Sequence, residues 1–287
     1  YYAPPFNMSV PWALSKNVGA INNKGLEISL NADVIRTSKF QWTSDFNIGF
    51  NRNRVTELYG GKPELKGLKR LEEGRDMDEW YLREWAGVDP ANGSPLWYTT
   101  DENGKRTTTD SYNKADRVYC GSAAPKFTGG WMNSFSYKGF TLTANFDFVY
   151  GNLLYNQSRE LLDSDGAYAD YNSMKLKSGW KRWEKEGDIA THPKAINGGN
   201  KNSNKSSSRY LEKGNYFSLR NLSLGYSIPE KLCGKLGLQR VNVSCSADNL
   251  FTLTPFSGVS PQLSDSSTDG YAGTIYPLSR RIVFGLN

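Results

Sequence analysis

The chain has 287 residues, 13% of them aromatic, and its 35 Lys and Arg stand against 29 Asp and Glu for a net charge of +6. So many rings exclude a disordered chain, and the interspersed acids exclude the one-sign stripe that nucleic-acid binding needs. No apolar run approaches the ~20 residues of a membrane helix, which excludes a helical membrane protein but not a membrane barrel, whose strands need ~9–11 residues with every second one polar.

No signal peptide stands at Tyr1, so either it was removed or the chain begins partway through a larger protein, and the strand organisation favours the second. From Glu27 to Ile35, Ile28, Leu30, Ala32 and Val34 alternate with polar residues. After a turn at 37–39, Phe40, Trp42, Phe46, Ile48 and Phe50 share one face and Gln41, Thr43, Asp45, Asn47 and Asn51 the other. Period two over two adjoining runs predicts a hairpin with one apolar and one polar face. Two weaker strands are expected at Trp80–Ala86 and Leu96–Thr100, joined by the Asp-Pro and Asn-Gly turn of Asp89–Ser94. A second strong hairpin turns at Lys138–Gly139, between Trp131–Tyr137 and Phe140–Tyr150.

The third begins near Tyr216, where Phe217 and Leu219 lie on one phase and Leu222, Leu224 and Tyr226 on the other. That slip at Arg220–Asn221 predicts a bulge. Val241 to Ala247 and Leu278 to Leu286 complete a set of about nine strands. Between them, Met174–Glu186 is expected to hold a short helix, and the low-complexity stretch Ile196–Ser208 to be a mobile loop.

The connections alternate strictly, short at 37–39, 89–94, 138–139 and 229–238, long at about 53–79, 101–125, 152–205 and 252–276. Short turns on one side and long loops on the other are the habit of an up-and-down outer-membrane barrel, not of a Greek-key sandwich. The polar face is mostly Ser, Thr, Asn, Gln and Asp, as suits a water-filled lumen, and Trp, Tyr and Phe on the apolar face suit interfacial girdles. The expected fold is therefore all-β: an antiparallel transmembrane barrel fragment with long outer loops. An odd strand number implies partner strands beyond this set, because an open edge cannot face lipid.

Other chemistry is sparse. Cys120, Cys233 and Cys245 are odd in number and show no CxxC spacing, so neither a metal site nor a disulfide framework is expected, and Cys245 reads as a small packed residue. The single histidine, His192, sits in a polar loop before Pro193. A glycosidase would need paired carboxylates. Asp163 with Asp165, or Glu72 with Glu73, are the available neighbours, and such loop carboxylates are expected to be solvated.

An ordered set of segments resembles the SusC/RagA type of TonB-dependent transporter. It comprises Asn17-Val18-Gly19, Asn23-Lys24-Gly25-Leu26-Glu27, Phe40-Gln41-Trp42, Asn51-Arg52-Asn53-Arg54-Val55 with Leu58, and the Ala86-Gly87-Val88-Asp89-Pro90-Ala91-Asn92-Gly93 turn. The segment running from Phe217 to Pro229 (FSLRNLSLGYSIP) is the most specific, followed by Asp248–Thr254, Phe256–Pro261, Tyr276-Pro277 and Ile282–Asn287. Ser260 departs from the pattern, standing where the family often has an acid, and the chain stops short of the expected terminal aromatic.

The resemblance implies that residues 1–287 are the C-terminal portion of one transmembrane barrel domain, with the plug and TonB box outside this chain. It implies a non-enzymatic, cofactor-free nutrient importer in the outer membrane of a Gram-negative bacterium. The implied partners are a SusD-like surface lipoprotein, the TonB complex, outer-membrane lipid and lipopolysaccharide, and a glycan or peptide cargo. A soluble carbohydrate-binding β-sandwich and a passive porin are the alternatives. Flat aromatics bind sugars through their apolar faces, so the candidate substrate contacts are Trp97, Tyr98, Tyr112 and Tyr119 in or near the second long loop, with Trp180 and Trp183 in the third as alternatives.

Overall fold

The computed structural model describes residues 19–235, 237–262, 270–273 and 276–287. Asn17, Val18 and parts of the last long loop lie outside the described residues. One seven-stranded sheet forms a wall: β1 (Ala20–Arg36), β2 (Phe40–Glu57), β3 (Phe127–Tyr137), β4 (Phe140–Tyr150), β5 (Tyr216–Ser227), β6 (Asn242–Leu253) and β7 (Arg281–Leu286). Each strand pairs antiparallel with the next in the chain, so the topology is up-and-down.

The register carries the two-faced code across every strand. Residues directly opposite each other in a ladder point to the same side of the sheet. Leu30 faces Phe46, which faces Trp131, which faces Phe146, which faces Leu219, which faces Phe251. The alternate rows run through Asn31, Asp45 and Met132, and through Thr143, Ser223 and Ser246. The expected bulge is present: Leu219 and Asn221 pair with neighbouring positions of β4 while Arg220 is left out of the ladder. That one extra residue brings Leu222 and Leu224 onto the same face as Phe217 and Leu219.

On the apolar face rings hold both ends, and the rows between mix rings such as Phe46, Trp131 and Phe146 with Leu, Ile and Ala. Phe40, Tyr137, Phe140 and Tyr226 form the belt nearest the short turns, with Phe140 and Tyr226 centroids 4.3 Å apart. Phe50, Phe127, Phe148 and Tyr150 form the belt nearest the long loops. Phe148 crosses β3 to stack on Phe46 at 6.0 Å. Gly129 permits this, because a Cβ there would lie 2.5 Å from the Phe148 ring.

The turn-side ends are tight. Thr37 closes the first turn by donating its N–H to the Phe40 carbonyl at 2.9 Å. Lys138 and Gly139 both have positive φ, 46° and 86°, as a two-residue hairpin turn requires. The third turn carries the short helix α2 (Glu230–Lys235), a helix reached after α1 (Ser158–Leu162) in the long loop between β4 and β5. β7 starts later than expected: the Ser279 carbonyl accepts a hydrogen bond from the Asn249 side chain instead of joining the ladder.

Wall strands number seven, not nine. The expected strands at Trp80–Ala86 and Leu96–Thr100 exist as Glu79–Arg83, Trp85–Val88 and Pro95–Thr100, but belong to small sheets within the loops. Alternation is the same signal in either place; these strands pair with other loop strands and not with the wall ladder. The Asp89–Ser94 turn is therefore part of the loop side. The alternation of short and long connections survives this correction, since 58–126 becomes one long connection.

The loops pack into a cap with its own core. Trp80, Leu82, Tyr155 and Tyr210 bury one another, joined by Leu68, Leu153 and Tyr271. The Trp80 indole N–H donates to the Leu153 carbonyl at 2.9 Å. Leu154, Phe256 and Ala272 form a second cluster. Two sequence expectations fail here. Met174–Glu186 is not a helix: Arg182 bridges to His192, and Asp188 accepts backbone N–H groups of Glu184 and Lys185, folding the segment into a turn. Ile196–Ser208 is not a loose loop: Asn200, Ser203 and Ser207 are buried, and its small polar side chains satisfy groups deep in the cap.

Candidate functional site

The cap is organised around two carboxylates. Asp163 and Asp165 leave the end of α1 in a tight reversal, with Asp165 at φ 52° and Gly166 at φ 90°. Asp165 tolerates this left-handed geometry as Asp and Asn do more readily than other residues. Both side chains are fully shielded from solvent, which contradicts the expectation of solvated carboxylates. Asp163 accepts from Arg159 at 2.9 Å, from Arg209 at 3.2 Å and from His192 Nε2 at 3.0 Å. Asp165 accepts from Arg182 at 2.6 Å, from Ser203 at 2.6 Å and from both terminal nitrogens of Arg209. Arg159 also reaches Glu212 at 3.0 Å, which further accepts from the Ser257 hydroxyl at 2.6 Å, the Ser257 backbone N–H at 2.7 Å and the Asn156 side-chain amide at 3.2 Å.

Burial alone would push the Asp163 carboxyl up. The His192 hydrogen bond and the Arg209, His192 and Arg159 charges outweigh it and hold the group at about 2. Burial likewise works against the Arg209 charge, yet Tyr210, Asp165 and Asp163 raise its pKa. Burial pushes the Tyr210 and Tyr155 hydroxyls far up, so both remain neutral donors. The network locks the cap. His192, a lone residue in the sequence reading, is a member of it, with Nδ1 on the Thr191 hydroxyl at 2.8 Å.

Against this network lies a cavity of about 350 Å3 lined by Trp85, Trp180, Arg159, Arg209, Lys177 and Lys213, among others. Arg159 lies over the Trp180 ring at 4.5 Å and Arg209 over the Trp85 ring at 5.1 Å. The combination offers indole faces beside fixed cations.

The six aromatic candidates occupy different settings. Trp97 is wholly buried, edge-on to Trp85 at 5.6 Å and to Tyr112 at 5.5 Å. Tyr112 donates to the Ser206 carbonyl at 2.9 Å and lies under Arg83. Tyr98 is half-buried with Arg106 3.8 Å above its ring. Tyr119 is bonded to Glu72, packed on Tyr81 and capped by Arg75 at 3.5 Å; burial and then Glu72 push its hydroxyl up to about 12. Trp183 is buried against Gly93, with its N–H on the Pro90 carbonyl at 2.9 Å, stapling the loop between β4 and β5 to the loop between β2 and β3. Trp180 alone of the six lines the cavity. Trp85, Arg159 and Arg209 were missed by the sequence reading, because 50 or more residues separate each from the next and no motif links them.

No protein-family model matches the chain. It is 29% identical over 308 residues to TonB-dependent receptor P3 of Formosa agariphila, covering 95% of this chain and 29% of that protein. It is 22% identical to TonB-dependent receptor SusC of Bacteroides thetaiotaomicron, covering 96% and 27%. The structure of the RagAB peptide transporter matches with a TM-score of 0.80 at 26% identity, covering 94% of this chain and 30% of that one. The chain thus spans about three-tenths of the length of the relatives it matches. These relatives are receptors and transporters, not enzymes. In sequence and fold the chain is similar to TonB-dependent receptors, SusC and the RagAB transporter among them, over a segment of their length.

Proposed function

We propose that this chain forms part of the wall and outer cap of an outer-membrane nutrient importer, in the C-terminal portion of one barrel domain. The observation that carries this is the wall itself: seven strands with rings and aliphatics on one face and Ser, Thr, Asn and Asp on the other. The apolar face meets lipid and the polar face lines a hydrophilic path. Its role is binding and passage, with no bond making. A plug and TonB box supplied by other residues couple it to the TonB complex, and a SusD-like lipoprotein covers the cap. The surrounding membrane is the outer membrane of a Gram-negative bacterium.

Peptide is the first cargo to test, because the solved structures of the same fold are described as peptide importers; a glycan is the second. Tyr98 and Trp180, half-buried beside Arg106 and Arg159, supply faces for it. Cells carrying the native protein should take up labelled peptide or oligosaccharide only while TonB is present. Uptake that persists without TonB would make the protein a passive pore. Tyr98→Ala and Trp180→Ala should each weaken cargo binding about fivefold by calorimetry; unchanged affinity for both would remove the cap aromatics from the binding path.

A further inference from the structure

The face code of the first hairpin changes abruptly near the long-loop end. From Leu30 with Phe46, through Ile28 with Ile48, to Leu26 with Phe50 the face is apolar. The next pair on the same face is Lys24 with Arg52, and the one after is Asn22 with Arg54. Two residues of strand are roughly 7 Å, so these cations stand just beyond the belt of Phe50, Phe127 and Tyr150. That is headgroup depth, on the lipid side of the wall.

Lys126 joins them from β3. Its N–H bonds the Tyr150 carbonyl at 2.8 Å, and its stem lies so close to Gly151 that a Cβ there would meet it at 2.5 Å. Gly151 also has φ 89°, so the lysine's stem is set against bare backbone. Arg52, Arg54, Lys126, Phe50 and Phe127 line one open cavity of about 860 Å3.

All four cations are exposed and form no ion pair among the described residues. The acids in that cavity are occupied elsewhere. Glu79 holds Arg75 at 2.7 Å, and Asp76 accepts from the Ser122 hydroxyl and the Asp78 N–H, both at 2.8 Å. Unpaired Arg and Lys directly above an aromatic girdle need counter-charge of the kind a lipid phosphate supplies.

We propose that Lys24, Arg52, Arg54 and Lys126 form a binding site, on the lipid side of the barrel rim, for the phosphate groups of an outer-leaflet phosphorylated lipid. Its acyl chains lie along the belt of Phe50, Phe127 and Tyr150. This rests on the reading of the wall as membrane-spanning.

The test is native mass spectrometry of the detergent-purified native protein, titrated with bis-phosphorylated lipid A, with its dephosphorylated form, and with inorganic phosphate. The wild type should retain the phosphorylated lipid, and Arg52→Gln with Arg54→Gln and Lys126→Gln should weaken retention about tenfold or more. Lys231→Gln with Lys235→Gln, on the opposite rim, should leave it unchanged. Heat-modifiable mobility on gels checks that the variants remain folded barrels. Equal retention by the triple variant, equal retention of the dephosphorylated lipid, or full displacement by inorganic phosphate would each overturn the site. A wild type that stays soluble without detergent would overturn the membrane wall instead, a result distinguishable from the first three.

Discussion

The wall and the cap handle the same residue types in opposite ways. In the wall, Leu30 and Phe284 are 60% and 80% exposed, and Asp, Asn, Ser and Thr cover the other face. In the cap, Trp80 and Trp97 have no exposed surface, and charge is on the inside as well, as the Asp163 and Asp165 network. A wall in water would bury its Leu and Phe rows; a wall in lipid leaves them outside, because hydrocarbon is their solvent. The cap obeys ordinary aqueous rules, with apolar side chains in its core and with buried charges paired. Two solvents along one chain explain why its overall hydropathy is low although a large apolar surface is displayed.

The largest effect that separates the two regions comes from removing one side of the cap network. Asp163→Ala leaves Arg159, Arg209 and His192 buried without their carboxylate, a loss of about 3–5 kcal/mol. Hydrogen exchange should show lost protection through 153–213 while the wall keeps its protection. Equal loss in both would mean that the cap is not a separate unit of stability.

Next in size is a charge placed on the wall. Leu222→Arg, on the apolar face between Ala144 and Ala247, should cost about 2–4 kcal/mol in urea unfolding from lipid. Ser223→Arg, one residue on and facing the lumen, should cost far less. Similar costs for the two would blur the distinction between the faces.

The smallest concerns pH. The Asp163 carboxyl is held at about 2, below its ordinary 3.8. A depressed carboxylate contributes stability that is fully present above the unfolded value and is lost as pH falls through the folded one. The cap should therefore keep its full protection at pH 5 and lose about 2 kcal/mol between roughly pH 4 and pH 2. In Asp163→Asn that acid-dependent loss should be reduced; an unchanged pH profile would assign it to other carboxylates.

What could be read from the sequence divides along the same line. Period two survives translation into a wall because β1 to β6 each repeat it for ten residues or more, and even the Arg220 bulge left a phase slip between Leu219 and Leu222. The turn at Lys138–Gly139 was legible because positive φ favours glycine. The cap was not. Trp80 and Leu82 alternate just as wall residues do, so local pattern alone could not tell a buried five-residue strand from a membrane strand. Ile196–Ser208 looked loose by composition, yet Ser203 and Asn200 are there to satisfy Asp165 and the Lys194 carbonyl, partners that only tertiary structure supplies. Arg209 meets Asp165 across 44 residues, a pairing with no local signature.

The most direct test of the lipid-facing wall is spin-label accessibility along β5 in bilayers. Single cysteines would be placed at Leu222, Ser223, Leu224 and Gly225 after replacement of Cys120, Cys233 and Cys245. Labels at Leu222 and Leu224 should be relaxed by oxygen dissolved in lipid, and those at Ser223 and Gly225 by a water-soluble nickel complex. Leu222 and Leu224 labels shielded from both reagents would put that face inside a protein core and contradict a membrane barrel.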